Sequence, residues 1–182
     1  MTLVLASQSA RRAELLAAAG IDFTVRVADI DETPHPDENP LEFALRMAAG
    51  KAAAVPLHPG ETILAADTIV VIDHEIMGKP RDKADATRML RALSGRPHEV
   101  ITAICLQSKD KTVLDSCSTT VWFHPLTEAE IAWYVESGEP MDKAGAYGIQ
   151  GLASRFIDRL DGSYSNVVGL PVALVWQHLR QL

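Results

Sequence analysis

Two places in this chain put charge where an ordinary fold avoids it, and a third gathers carboxylates near them. In SQSARR (residues 7–12), a polar turn leads into a helix whose first turn holds Arg11 and Arg12. Cations there oppose the positive end of the helix dipole and cost about 0.3–1 kcal/mol each. An anion reverses that balance. Backbone N–H groups at a helix start bind phosphate, Ser7 and Ser9 add hydroxyl donors, and arginine matches phosphate bidentately. The other reading has both arginines turned to solvent or paired with Glu14. On the phosphate reading, Arg11 and Arg12 stabilise the nucleotide complex but weaken the free helix, so loss of Arg12 leaves the free protein's melting temperature unchanged or higher.

The second place is Asp67, a single carboxylate inside the apolar run ILAADTIVVI. A buried, unpaired charge is expensive. At a strand end it can bind a metal or orient water, or it can be a structural aspartate bonded to backbone N–H groups. Thr68 faces the other side of a continuing strand, so it joins Asp67 only if the strand ends or bulges there. The third place is the acidic segment Asp29, Asp31 and Glu32, which together with Asp67 could hold Mg²⁺ through oxygen and water ligands, or be an exposed acidic loop. Lys51, on an alanine-rich helix, and Lys79, between Gly78 and Pro80, are cations whose readings as ligand-holding or solvated stay open. The sequence contains neither GxxxxGK[ST] nor GxGxxG after a strand, and its histidines show no metal-ligand spacing.

Alternating strands and helices must position these groups. Leu3–Ala6 reads as a strand. Ser9 caps a helix from Ala10 to Ala19, closed by Gly20. Phe23–Ala28 reads as a second strand, and DETPHPDENP as an acidic, proline-rich loop. Asn39-Pro40 opens a long helix that ends near Val55. TILAADTIVVI has the length and branching of a central strand, with a hairpin turn at DHEI. Asp82 or Lys83 opens a helix that stops at LSG. Two long strands follow, HEVITAICLQ and TVLDSCSTTVWFH. Thr127 and Glu130 form a capping box. GEPMDKAGAYGIQG reads as a glycine-rich loop, SRFIDRLDGSY as a strand and turn, and Pro171 as the start of a last helix. This is an α/β order, and the two long paired strands argue against a purely parallel sheet.

The 182 residues suit one domain over 1–182, with 47% hydrophobic and 23% charged residues. No apolar run reaches the roughly 18 residues of a membrane span, and MTLVLAS lacks the basic start of a signal peptide, so no membrane partner and a cytoplasmic location are expected. A net charge of −7 argues against a nucleic-acid surface, yet a few focused cations can still hold a small anion. Cys105 and Cys117 read as two buried thiols in a reducing compartment.

Taken together, LASQSARRAELL, AADTIVV, GKPRD with ATRMLRALSGRPHEVITAI, and EPMDKAGAYGIQG with DGSYSNVVGLP resemble the Maf family of nucleoside triphosphate pyrophosphatases. The resemblance covers essentially the whole chain. The DKAGAYGIQG form is similar to the branch acting on dTTP and UTP rather than the branch preferring 7-methyl-GTP. Ala10 departs from the family, which often has proline there, but proline supplies no chemistry.

The resemblance implies an α/β fold with a twisted mixed β-sheet flanked by helices and two lobes with a deep cleft, similar to inosine triphosphate pyrophosphatases. It implies a nucleoside triphosphate substrate, a divalent metal cation (Mg²⁺, Mn²⁺ or Co²⁺) and cleavage to the monophosphate and pyrophosphate. It makes Asp67 the proton acceptor for the attacking water, with Glu32 beside it as metal ligand. Ser7, Arg12, Lys51 and Lys79 match phosphate-holding positions. Arg11, Thr68 and Gln150 match positions tied to base selection. The Gln150 amide could pair with the O4/N3 edge of uracil or thymine. The competing reading is a nucleotide-binding regulator of septum formation or cell division with weak hydrolysis, though a binding module has no need of two carboxylates beside a polyphosphate. A homodimer stays open.

Overall fold

The computed structural model describes residues 2–27, 29–36 and 38–182. Ala28, the last residue of the expected second strand, and Asp37, in the acidic loop, lie outside the described residues. Strand β1 (Thr2–Leu5) leads to helix α1 (Ala10–Ala18), strand β2 (Thr24–Val25) and helix α2 (Pro40–Ala53). The expected second strand shortens to two residues. Its apolar residues Val25 and Val27 are exposed, so little burial rewards extending it. Asn39 caps α2 by accepting from Leu41 N–H at 2.9 Å, with Pro40 inside the first turn.

Strand β3 (Glu61–Ile72) is buried along most of its length, as a central strand covered on both faces must be. Asp73 and His74, both at positive φ, turn the chain into β4 (Glu75–Met77). Asp82 caps helix α3 (Lys83–Leu93) through Asp85 N–H. Strands β5 (Pro97–Gln107) and β6 (Thr112–Phe123) precede α4 (Glu128–Glu136), which opens with the Thr127–Glu130 capping box. The glycine-rich loop contains 3-10 turns at Glu139–Asp142 and Ala144–Ala146, and another follows at Leu152–Phe156. Strand β7 (Ile157–Asp161), helix α5 (Tyr164–Val168) and helix α6 (Val172–Leu179) complete the chain.

Among the described residues one seven-stranded sheet runs β2-β1-β3-β5-β6-β7, with β4 on β3. It is mixed: β1 pairs in parallel with β2 and β3, while β4 on β3 and β7 on β6 are antiparallel. The chain divides into two compact units. One comprises residues 1–68, 102–117 and 169–182, and the other 69–101 and 118–168. The first has its core at Leu5, Leu16, Leu64, Ile104, Leu170 and Val175. The second packs Tyr134, Phe156, Phe123 and Tyr147 with Leu90 and Leu93. Its rings meet edge to face, as between Tyr134 and Phe156 at 5.3 Å. Cys105 is buried, which pushes its thiol pKa up to about 11, and Cys117 is half-buried.

Candidate active site

The first unit gathers Ser7, Arg11, Arg12, Glu32, Lys51, Asp67 and Thr68. Strand β3 sets the arrangement. β1 pairs with it as far as Leu64, and β4 joins only from Val70, so residues 65–69 lie between those pairings. The strand does not end at Asp67 but continues to Ile72. The two neighbouring side chains accordingly take different partners, as alternation along a strand requires.

Asp67 Oδ1 accepts from Lys51 Nζ at 2.7 Å, and the same ammonium lies 2.7 Å from Glu32 Oε1. Asp67 is buried, at 8% exposure, whereas Glu32 is exposed. Lys51 rides on the last turn of α2, where a cation suits the helix dipole. Asp67 is not a strand-end aspartate: β3 runs on past it, and its carboxylate takes the Lys51 ammonium as partner. One cation therefore already sits between two carboxylates drawn from separate segments.

Thr68 Oγ1 accepts from Arg12 Nη2 at 3.1 Å, shares a hydrogen bond with Thr102 Oγ1 at 2.9 Å and lies 3.3 Å from the Gly169 carbonyl. Arg12 also donates from Nε to Gly169 O at 2.8 Å and from Nη1 to Ser7 Oγ at 3.1 Å. Burial pulls the Arg12 pKa down, and the nearby charges of Asp67 and Glu32 push it up, against Arg11, which lowers it. Arg12 is thus neither turned to solvent nor paired with Glu14. It fastens the turn before α1 to β3 and to the turn before α6. The expectation that Arg12 only weakens the free helix fails on this geometry. Two of its five N–H groups are left over from these bonds.

Ser9 occupies the N-cap of α1, but its side chain makes no capping bond, and the first turn holds no acidic residue. Lys79 and Gln150 belong to the second unit, and both are exposed. Lys79 follows β4 through Gly78, and Gln150 stands in the turn before Leu152–Phe156.

Sequence reasoning gave no role to Gly169 or Thr102. Gly169 adopts φ +130°, a backbone region that strains any residue with a Cβ, and its carbonyl holds Arg12. The glycine in NVVGLP was the available signal. Thr102 reads as an ordinary strand residue in HEVITAICLQ and gave none.

A family model described as Maf-like protein matches residues 2–182. The chain belongs to the Maf family. A Maf relative in Geobacter metallireducens, named dTTP/UTP pyrophosphatase, is 54% identical over 183 residues, covering 99% of this chain and 95% of the relative. Another of that name in Anaeromyxobacter dehalogenans is 54% identical over 183 residues, covering 98% and 93%. Among solved structures, the Staphylococcus aureus Ham1 protein aligns with a TM-score of 0.55 at 15% identity, over 100% of this chain and 99% of that one. A HAM1 protein from Coxiella burnetii aligns with a TM-score of 0.53 at 18% identity, over 100% of both. At these identities the two structures show that this Maf chain shares their fold, and nothing more. The α/β class with a mixed, helix-flanked sheet is as expected.

Proposed function

We propose that this chain is a nucleoside triphosphate pyrophosphatase that hydrolyses dTTP and UTP to the monophosphate and pyrophosphate, working as one domain over residues 1–182. Its Maf relatives bear that name along nearly their whole length. The observation that carries the chemistry is the single ammonium of Lys51 held 2.7 Å from both Asp67 and Glu32. Two hard oxygen donors that already converge on one cation suit a divalent metal, whose other ligands are commonly water and substrate phosphates. Asp67 and Glu32 would hold it. When bound, it supplies charge neutralisation to the polyphosphate.

The residues of the chain do the rest. Asp67 accepts the proton of the attacking water at its carboxylate, which needs no strong acid or base beyond a positioned oxygen. Lys51, Arg12, Ser7 and Lys79 hold phosphate oxygens, so that phosphoryl transfer runs on positioning and electrostatics. Arg11, Thr68 and Gln150 serve base selection, with Thr68 doing so through the Arg12–Thr102 set that fixes its hydroxyl. Among the described residues no helix is long and apolar enough to cross a membrane. We place the chain in the cytoplasm, with the nucleotide pools it acts on. Incubating UTP with the chain and a divalent cation tests the reaction. UMP with pyrophosphate is expected, and UDP with orthophosphate would overturn the α,β cleavage.

A further inference from the structure

A residue outside the proposed machinery fixes the turn that carries Gln150. Tyr134 on α4 is fully buried, and its hydroxyl donates to Glu139 Oε1 at 3.0 Å. The other carboxylate oxygen, Oε2, accepts the backbone N–H of Leu152 at 2.9 Å. Lys143 Nζ donates to the Glu139 carbonyl at 2.7 Å. A Cβ at Gly151 would collide with the Glu139 carboxylate, so the glycine is what lets the carboxylate reach the Leu152 amide. Earlier in the same loop, Gly145 N–H donates to the Gly78 carbonyl at 3.1 Å, which ties the loop to the residue before Lys79. Gln150 stands immediately before Gly151.

A side-chain amide meets either pattern of a pyrimidine edge by flipping, so Gln150 alone cannot separate uracil from cytosine. Separation needs a backbone that does not move. An ionised carboxylate accepts only, so at position 139 it can hold two donors at once, the Tyr134 hydroxyl and the Leu152 amide. Glutamine in its place can keep both, its oxygen accepting the Leu152 amide and its NH₂ donating to the Tyr134 hydroxyl, whereas alanine removes both bonds. We propose that Glu139 is a positioning residue for pyrimidine recognition: pinned by Tyr134, it holds the Gly151–Leu152 backbone and so fixes how Gln150 meets the base. The inference rests on the reading of Gln150 as a base-selecting residue.

The test compares wild type, Glu139→Ala, Gln150→Ala and the double variant on UTP and CTP, with hydrogen exchange of the Leu152 amide in the free protein. For Glu139→Ala, kcat on UTP should stay within about twofold, while the UTP/CTP ratio of kcat/KM falls on the order of tenfold. The double variant should fall no further than Gln150→Ala, because both act on one contact. Leu152 should exchange faster. A staple that only stabilises would lower the melting temperature and leave the ratio alone. A wild-type ratio in Glu139→Ala beside a lowered ratio in Gln150→Ala overturns the inference and spares the base reading. An unchanged ratio in Gln150→Ala overturns the base reading and the inference with it, and Leu152 exchange then still reports whether Glu139 holds the turn. If Glu139→Ala does not fold, Tyr134→Phe, which removes the pinning hydroxyl, is read by the same ratio and the same amide.

Discussion

Replacing Arg12 with alanine separates two views of why a cation stands in the first turn of a helix. The side chain makes three hydrogen bonds, at 2.8, 3.1 and 3.1 Å. Each is worth about 0.5–1.5 kcal/mol net. The acceptors are not orphaned by its loss. Ser7 Oγ still accepts Ser9 N–H, Thr68 Oγ1 keeps Thr102, and the Gly169 carbonyl keeps Thr68. Removing a cation from the positive end of the helix returns about 0.3–1 kcal/mol. The balance is a loss of about 0.5–4 kcal/mol, centred a little above 2, and for a chain of this size each kcal/mol moves the melting temperature by about 2–4 °C. Arg12→Ala without nucleotide should therefore melt about 4–8 °C lower, followed by circular dichroism and fluorescence together. Its affinity for UTP should fall as well. A melting temperature unchanged or raised would show that these bonds do not hold the free protein and that Arg12 waits for an anion.

Asp67→Asn should lose a factor on the order of 10²–10⁴ in kcat while folding normally, since Lys51 keeps Glu32; near wild-type turnover at saturating metal would remove Asp67 as proton acceptor. Gln150→Ala should narrow the gap between UTP and CTP in kcat/KM more than it lowers the rate on either at saturation. His98 is buried against Tyr147 and Phe123, and burial lowers its pKa from 6.5 to about 4. The unfolded chain takes up that proton as pH falls through 6.5, and the folded chain only near 4. Stability is therefore full above pH 6.5 and falls by roughly 3 kcal/mol down to pH 4, measured by urea unfolding; His98→Gln should flatten that slope, and an equal slope in both proteins would refute the assignment. Glu38, Glu61 and Asp85, each held near 2 first by an arginine hydrogen bond, add stability that is present above their ordinary values of 4.5, 4.5 and 3.8 and is lost as pH falls from there to about 2.

Local chemistry was legible wherever it acts within a few residues. The Asn39-Pro40 start of α2 and the Thr127–Glu130 box are of this kind, and both stand where the sequence puts them. The long apolar run that became β3 was also legible, together with its end at the DHEI turn. Whether Asp67 stands at a strand end stayed open, because an apolar run without a period marks no break within itself. Helix α5 was missed because a single turn rich in polar residues carries no pattern. It depends on the Asn166 amide donating to the Val100 carbonyl and to Thr119, 66 and 47 residues away. The direction of Arg12 depends on Gly169, 157 residues along the chain. Spacing places Arg12 in the first turn of α1 but says nothing of an acceptor that distant. The bridging of Asp67 and Glu32 by Lys51 was open for the same reason: each residue was singled out, but not their meeting.

The central claim is the pyrimidine pyrophosphatase activity, and kcat/KM for pyrophosphate release across a panel of triphosphates tests it most directly. The panel holds dTTP, UTP, CTP, ATP, GTP and 7-methyl-GTP, with a divalent cation present. dTTP and UTP should be cleaved well, CTP poorly and the purines worst, because a site built to bond one base edge leaves polar groups unpaired with another. A preference for 7-methyl-GTP, or equal rates on all six, would contradict it.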